Sequence, residues 1–278
     1  MLNSNKISFG FLLLAIICLS GLTVAAQEKN KSNKYSRDFC SNNWSNGDKF
    51  SAKDLRETIV AAGDLTVDGK RNGGISVKGE NRTDVLIRAC VQAWGDSEAE
   101  ANSIAKNIRI ETDGTIRAES ATDKKNWSVS YEILVPRNTD LSLTTQNGGI
   151  SILNVEGKIE FTAENGGVSL SNLAGDVRGR TANGGLQVEL AGDGWKGGGL
   201  DVETTNGGVH VSMPENYAAQ FETKTVNGGY KTDFAALKVE RSPDNWQRGV
   251  NISREINGGG ATVRLVTTNG GVHIDSSN

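Results

Sequence analysis

Three stretches decide the fold: LSLTTQNGGISIL (141–153), IEFTAENGGVSLS (159–171) and VRGRTANGGLQVE (177–189). Laid over one another they share an apolar residue six before Asn (Leu141, Ile159, Val177) and a small residue two before it (Thr145, Ala163, Thr181). Apolar residues recur three and five after it, as in Ile150 and Ile152 or Val168 and Leu170. Polar residues such as Ser151, Ser169 and Gln187 alternate with them. Period-two alternation places the apolar columns on one face of each strand and the polar columns on the other. Each unit therefore reads as two short strands joined at an Asn-Gly-Gly corner, with φ > 0 expected there because Asn and Gly tolerate it cheaply.

The tripeptide occurs eight times, at Asn72, Asn147, Asn165, Asn183, Asn206, Asn227, Asn257 and Asn269, and it holds 16 of the 34 glycines among 278 residues. Self-similarity at about twenty residues marks a solenoid or strand array. Asn-Gly between alternating strands is also a strong hairpin signal, so an antiparallel β meander fits the pattern too. Like columns that stack on like, with Asn side chains in ladders, favour an all-β parallel β-solenoid, read as right-handed. The copy at Asn257 fits worst and predicts a distorted coil. Ala191 to Gly199 and Phe234 to Val250 read as excursions from the stack.

Upstream the pattern is less regular. Ser97 with Glu100 makes a capping box for a helix over 97–107, whose stripe is Ala101, Ile104, Ala105 and Ile108. Such a helix would cover an end or flank of the stack.

Residues 1–26 read as a secretory signal peptide: Lys6, an apolar run from Phe9 to Leu22, then Val24-Ala25-Ala26 before Gln27. A polar arm over 27–54 and one repeat domain over 55–278 follow. Export leaves Cys40 and Cys90, an isolated pair expected to form a disulfide. No later run reaches the ~20 apolar residues of a membrane span. A net charge of −3 with both signs mixed excludes a nucleic-acid binder.

Several further stretches carry a resemblance: Val77-Lys-Gly-Glu, the Asp96-to-Asn107 helix and Tyr131 to Leu141. The serial Thr-x-Asn-Gly-Gly-Val units and Met213-Pro-Glu-Asn-Tyr217 complete it. With these, residues 55–275 resemble a bacterial putative-adhesin family, a domain with β-strand repeats. The resemblance implies a β-helical fold and an envelope or extracellular location, and it assigns no catalytic residues.

Chemistry-bearing residues are few. His210 and His273 are the only histidines. They are three coils apart in chain order, roughly 14 Å at the strand spacing, which is too far for one ion, so no metal or other cofactor is assigned. Stacking in chain order sets Arg178 and Arg180 beside Asp201 and Glu203. Such a patch serves either as a ladder of cross-strand ion pairs or as the acid–base set of a polysaccharide lyase or glycosidase. Trp195, Trp246 and Tyr230 could form an aromatic platform for a ligand, or close their loops against the coils. The reading favoured is a non-enzymatic, exported scaffold or adhesin-like binder of a glycan or protein in the envelope, with no catalytic residue.

Overall fold

The computed structural model describes residues 39–41, 49–122, 125–239 and 249–277. The chain divides into two units, Met1–Asn42 and Asn43–Asn278, and the elements below belong to the second. In order they are β1 Phe50–Ala61, β2 Leu65–Asp68, β3 Ile75–Glu80, β4 Asp84–Gly95, α1 Glu98–Lys106, β5 Ile108–Glu111, β6 Thr115–Ser120 and β7 Trp127–Pro136. Next come β8 Leu141–Thr145, β9 Ile150–Leu153, β10 Glu156–Asn165, β11 Val168–Ser171, β12 Ala174–Asn183, β13 Leu186–Glu189, β14 Gly199–Asn206 and β15 Val209–Met213. The last are β16 Ala219–Asn227, β17 Tyr230–Thr232, β18 Val250–Ile256, β19 Thr262–Asn269 and β20 Val272–Ser276. β1 thus starts before residue 55, inside the stretch read from sequence as arm. The signal-peptide stretch lies outside the described residues. Cys40 in the first unit and Cys90 in the second are each disulfide-bonded.

The strands form two ten-stranded sheets. The first runs β1-β4-β7-β3-β9-β11-β13-β15-β20-β17 and the second β18-β16-β19-β14-β12-β10-β8-β2-β6-β5. Every Asn-Gly-Gly corner but that at Asn257 carries the chain from the second sheet to the first, and neighbouring coils pair in parallel with no slip, Asn165 opposite Asn183 and Asn183 opposite Asn206. The fold is a parallel β-solenoid, not a meander. Among the described residues antiparallel pairs occur only towards the ends, as in β1–β4, β4–β7 and β5–β6 at one and β16–β18 at the other. The core lies between the sheets, where the columns of Ile159, Val177 and Leu200 and of Ile150, Val168 and Leu186 are all buried.

Space and chain order part company after β15. β19 lies between β14 and β16, and β20 between β15 and β17. The coil of Asn269 is therefore inserted between the coils of Asn206 and Asn227. The segment at Asn257 is not a coil. β18 runs antiparallel to β16, and Asn257 turns out of it with φ 50°, its Nδ2 donating to the carbonyls of Glu215 (2.8 Å) and Tyr217 (2.9 Å).

The corner glycines are needed for a reason other than the one the sequence suggests. Positive φ occurs at Gly258 and Gly259, in the one Asn-Gly-Gly that is not a coil corner, and at none of the other seven copies. At the true corners the constraint is close approach. A Cβ on Gly166 would lie 2.0 Å from Gly148 O, and one on Gly207 2.1 Å from Gly184 O. The same carbonyls accept hydrogen bonds from the threonine two before Asn: Thr204 Oγ1 donates to Gly184 O at 2.7 Å, and Thr267 Oγ1 to Gly207 O at 2.7 Å. Thr and the first Gly of one coil thus grip one carbonyl of the next, which accounts for Thr-x-Asn-Gly. The second glycine is less tightly placed, the nearest atom to a Cβ lying at 3.0 Å for Gly149 and at 3.6 Å for Gly167.

The asparagines add a side-chain ladder. Each Nδ2 donates to the Oδ1 of its neighbour, from Asn147 to Asn72 at 3.3 Å through Asn165, Asn183 and Asn206. It then passes to Asn269 (2.8 Å) and ends at Asn227 (2.9 Å), following space and not sequence. The opposite corner holds a second pair, Asn172 to Asn154 at 2.7 Å, and there φ is positive, 50° and 58°. Replacing Thr204 by Val keeps its shape but leaves the half-buried Gly184 carbonyl without its hydroxyl. We expect a loss of about 1–2 kcal/mol of stability in a denaturant titration.

α1 follows the capping signal: Ser97 Oγ accepts from Glu100 N at 3.2 Å, and Glu100 Oε2 accepts from Asp96 N at 2.9 Å. Its Ala101, Ile104 and Ala105 are buried, and it packs on β1, β4 and β5. Since β1 and β5 are the edges of the two sheets at one end, the helix sits where stray pairing would otherwise start.

Candidate functional site

The outer face of the second sheet carries the charged columns. Residues five before each Asn project outward because those six before it are buried. Register brings Glu160, Arg178, Asp201, Arg264 and Glu222 side by side on β10, β12, β14, β19 and β16. The signs alternate along all five positions. Chain order alone would have set Asp201 next to Glu222; the inserted β19 puts Arg264 between them. The column two residues on brings Arg180 beside Glu203.

Arg178, Arg180, Asp201 and Glu203 line one broad, open depression of about 420 Å³, together with Arg264 and Glu160. Gly179 stands in the inward column between Phe161 and Val202, where a Cβ would lie 2.4 Å from the Phe161 ring. Within the depression Arg264 pairs with Asp201, and at its rim Arg178 pairs with Asp176 at 3.1 Å and Glu160 with Lys158 at 3.0 Å. Arg180 and Glu203 make no ion pair within 4.0 Å among the described residues. These are exposed pairs, each worth little to stability, and their signs offset one another across the face. Such a surface can meet a polar ligand with donors and acceptors in a repeat of about 4.8 Å.

The aromatic residues do not join that patch. Trp195 is half-buried and its Nε1 donates to Gly175 O at 2.9 Å, fastening the 191–199 excursion. Tyr230, at the edge of the other sheet, donates from its hydroxyl to Leu237 O at 3.0 Å, and burial raises its pKa above the usual value. Trp246 lies outside the described residues.

One arrangement runs against the sequence reading. His210 and His273 are not 14 Å apart but direct neighbours, paired across β15 and β20 with ring centroids 5.2 Å apart. Asp275 stands between their rings, its Oδ2 2.8 Å from His210 Nε2 and its Oδ1 2.7 Å from His273 Nε2. The two histidines occupy the same column, four after Asn. Only the spatial order of coils was missing to bring them together.

Among solved structures the chain is similar to a "putative cell adhesion protein" from Clostridium sporogenes, at 11% identity and TM-score 0.40, covering 81% of this chain and 100% of that one. It is also similar to a "putative adhesin" from Bacteroides fragilis, at 10% identity and TM-score 0.34, covering 81% and 97%. No curated protein matches it. The family model Toastrack DUF4097 matches residues 51–275, from β1 to the end of β20. With nearly all of its repeat unit inside that match, the chain belongs to the Toastrack DUF4097 family.

Proposed function

We propose that this chain is exported by the signal sequence at residues 1–26. In this reading it serves at the cell envelope as an adhesin-like, non-enzymatic β-solenoid that binds a surface glycan or protein on the outer face of its second sheet. The observation that carries the reading is the in-register row Glu160, Arg178, Asp201, Arg264, Glu222, alternating in sign over five strands. A rigid stack holds these groups at fixed spacing before any ligand arrives, which lowers the ordering cost of binding. Arg180 and Glu203, beside that row, are open to outside partners. The names of the two adhesin-like structures point the same way. Among the described residues no helix is long and apolar enough to cross a membrane.

The test is a glycan array with purified envelope polysaccharides, read for both binding and cleavage. Retained binding with no shortened product is the expected result, with Arg180→Ala and Asp201→Ala each weakening it at least about tenfold, some 1.4 kcal/mol. Trp195→Ala is expected to lower the melting temperature and leave affinity intact, because that ring fastens a loop. Shortened polysaccharide would make the protein an enzyme and overturn the reading. So would an affinity that neither charge variant changes.

A further inference from the structure

The geometry points to a binding site for one divalent first-row transition-metal ion at His210, His273 and Asp275, on the outer face of the first sheet. Nothing in the charged face of the second sheet depends on it, or it on that face.

The ligand set is assembled by register. β15 and β20 run parallel with His210 opposite His273, and Asp275, two residues beyond His273, projects from the same side of β20. The candidate ligand atoms, one from each residue, lie within 4.8 Å of one another. A tetrahedral zinc ion with bonds of 2.0–2.2 Å keeps its ligand atoms about 3.3 Å apart. The present N···O separations of 2.7 and 2.8 Å therefore need to open by roughly half an ångström, which side-chain rotation supplies without moving either strand.

Two observations separate this cluster from an incidental surface ion pair. First, His273 Nε2 is shielded from solvent and, although 2.7 Å from Asp275 Oδ1, has no aligned hydrogen bond. A buried ring nitrogen left in that state is costly, and a metal ion at the mouth of the carboxylate would give it a partner. Second, the carboxylate is held on backbone that is fixed on both sides. β20 lies between β15 and β17, Asp233 N donates to Ile274 O at 3.1 Å, and Ser277 N donates to Met213 O at 2.9 Å. Asp275 is thus not on a frayed end.

The donor types choose the ion. Two imidazoles and one carboxylate suit zinc, copper, nickel or iron, whereas calcium and magnesium ask for oxygen alone. Three protein ligands leave at least one coordination position, and His210, with half of its side-chain surface exposed, directs it to solvent or to a ligand of a partner. Gln187 flanks His210 and Lys231 flanks His273 in the same column. Lys231 thus sets a like charge beside a bound cation, and Asp233 follows just beyond the end of its strand.

The chain contains only two histidines, so its imidazole nitrogen NMR spectrum reports on this site alone when no polyhistidine tag is present. Zinc is titrated into the full chain and followed by that spectrum and by calorimetry. We expect one ion per chain and movement of both imidazole signals together. His273→Gln and Asp275→Asn should each weaken binding at least about tenfold while far-ultraviolet circular dichroism stays unchanged. If either variant fails to fold, the paired movement of two rings in the unmodified chain still decides the matter. Absence of saturable binding overturns the site, as does movement of one ring only or undiminished affinity in folded variants.

Discussion

Deleting residues 262–278 should unfold far more of this protein than the seventeen residues removed. In an ordinary solenoid a terminal coil is a cap, and its loss trims the stack by one unit. Here β19 and β20 lie inside the stack, so their removal leaves a gap one strand wide in both sheets. β14 and β16 would then stand about 9.6 Å apart, twice the pairing distance, and neither could close on the other without dragging its coil. Val263, Leu265, Val272 and Ile274 are almost wholly buried. At ~1.5–3 kcal/mol each, their burial stabilises the fold by an amount comparable to the ~5–15 kcal/mol net stability of a typical domain. The expected result is loss of a single cooperative thermal transition, with rapid proteolysis between residues 214 and 261. A longer deletion that ends the chain at Met213 should be tolerated better, since it exposes one flank of an intact stack. If the shorter deletion melts within a few degrees of the full chain, the inserted order is wrong.

The second large effect separates two adjacent glycines that look alike in sequence. Gly166→Ala puts a methyl group 2.0 Å from Gly148 O, in backbone that cannot swing aside. The coils must part, losing ladder bonds such as Asn165 Nδ2 to Asn147 Oδ1. Overpacking against backbone should cost about 3 kcal/mol, or roughly 6–12 °C of melting temperature for a domain of this size. Gly167→Ala meets nothing closer than 3.6 Å and has no positive φ to strain. It should stay within about 0.5 kcal/mol of the parent, helped by the reduced freedom of the unfolded chain. Equal melting temperatures for the two variants would show that the corner is not close-packed.

Much of this was legible from the residues. Alternation gave the strands, column identity gave the parallel stack, and Ser97 with Glu100 gave the helix, because each is a local consequence of backbone period or hydrogen-bond valence. The corner was read correctly in place and wrongly in cause. Asn-Gly is compatible both with φ > 0 and with close approach, and three letters do not distinguish them. The order of coils was illegible for a deeper reason. Every coil offers its neighbours the same Thr, Asn and Gly contacts, so the chemistry that makes stacking favourable says nothing about which coil takes which slot. That single missing fact misplaced Arg264 in the charged row and separated His210 from His273. Only the poor fit of Asn257 hinted that the chain there had left the spiral.

The inserted coil also sets a sequence of events in time. The coils of Asn147, Asn165, Asn183 and Asn206 can stack in the order in which they are synthesised, each on a completed neighbour. The coil of Asn227 cannot, because the surface it stacks on has not yet been made. It must wait, with Phe221 and Tyr217 uncovered, until β19 and β20 have emerged and entered the gap. Long-range pairing of this kind is slow and leaves apolar surface open meanwhile. Folding of this stack therefore finishes in its interior, and the last strands synthesised decide when the protein is whole.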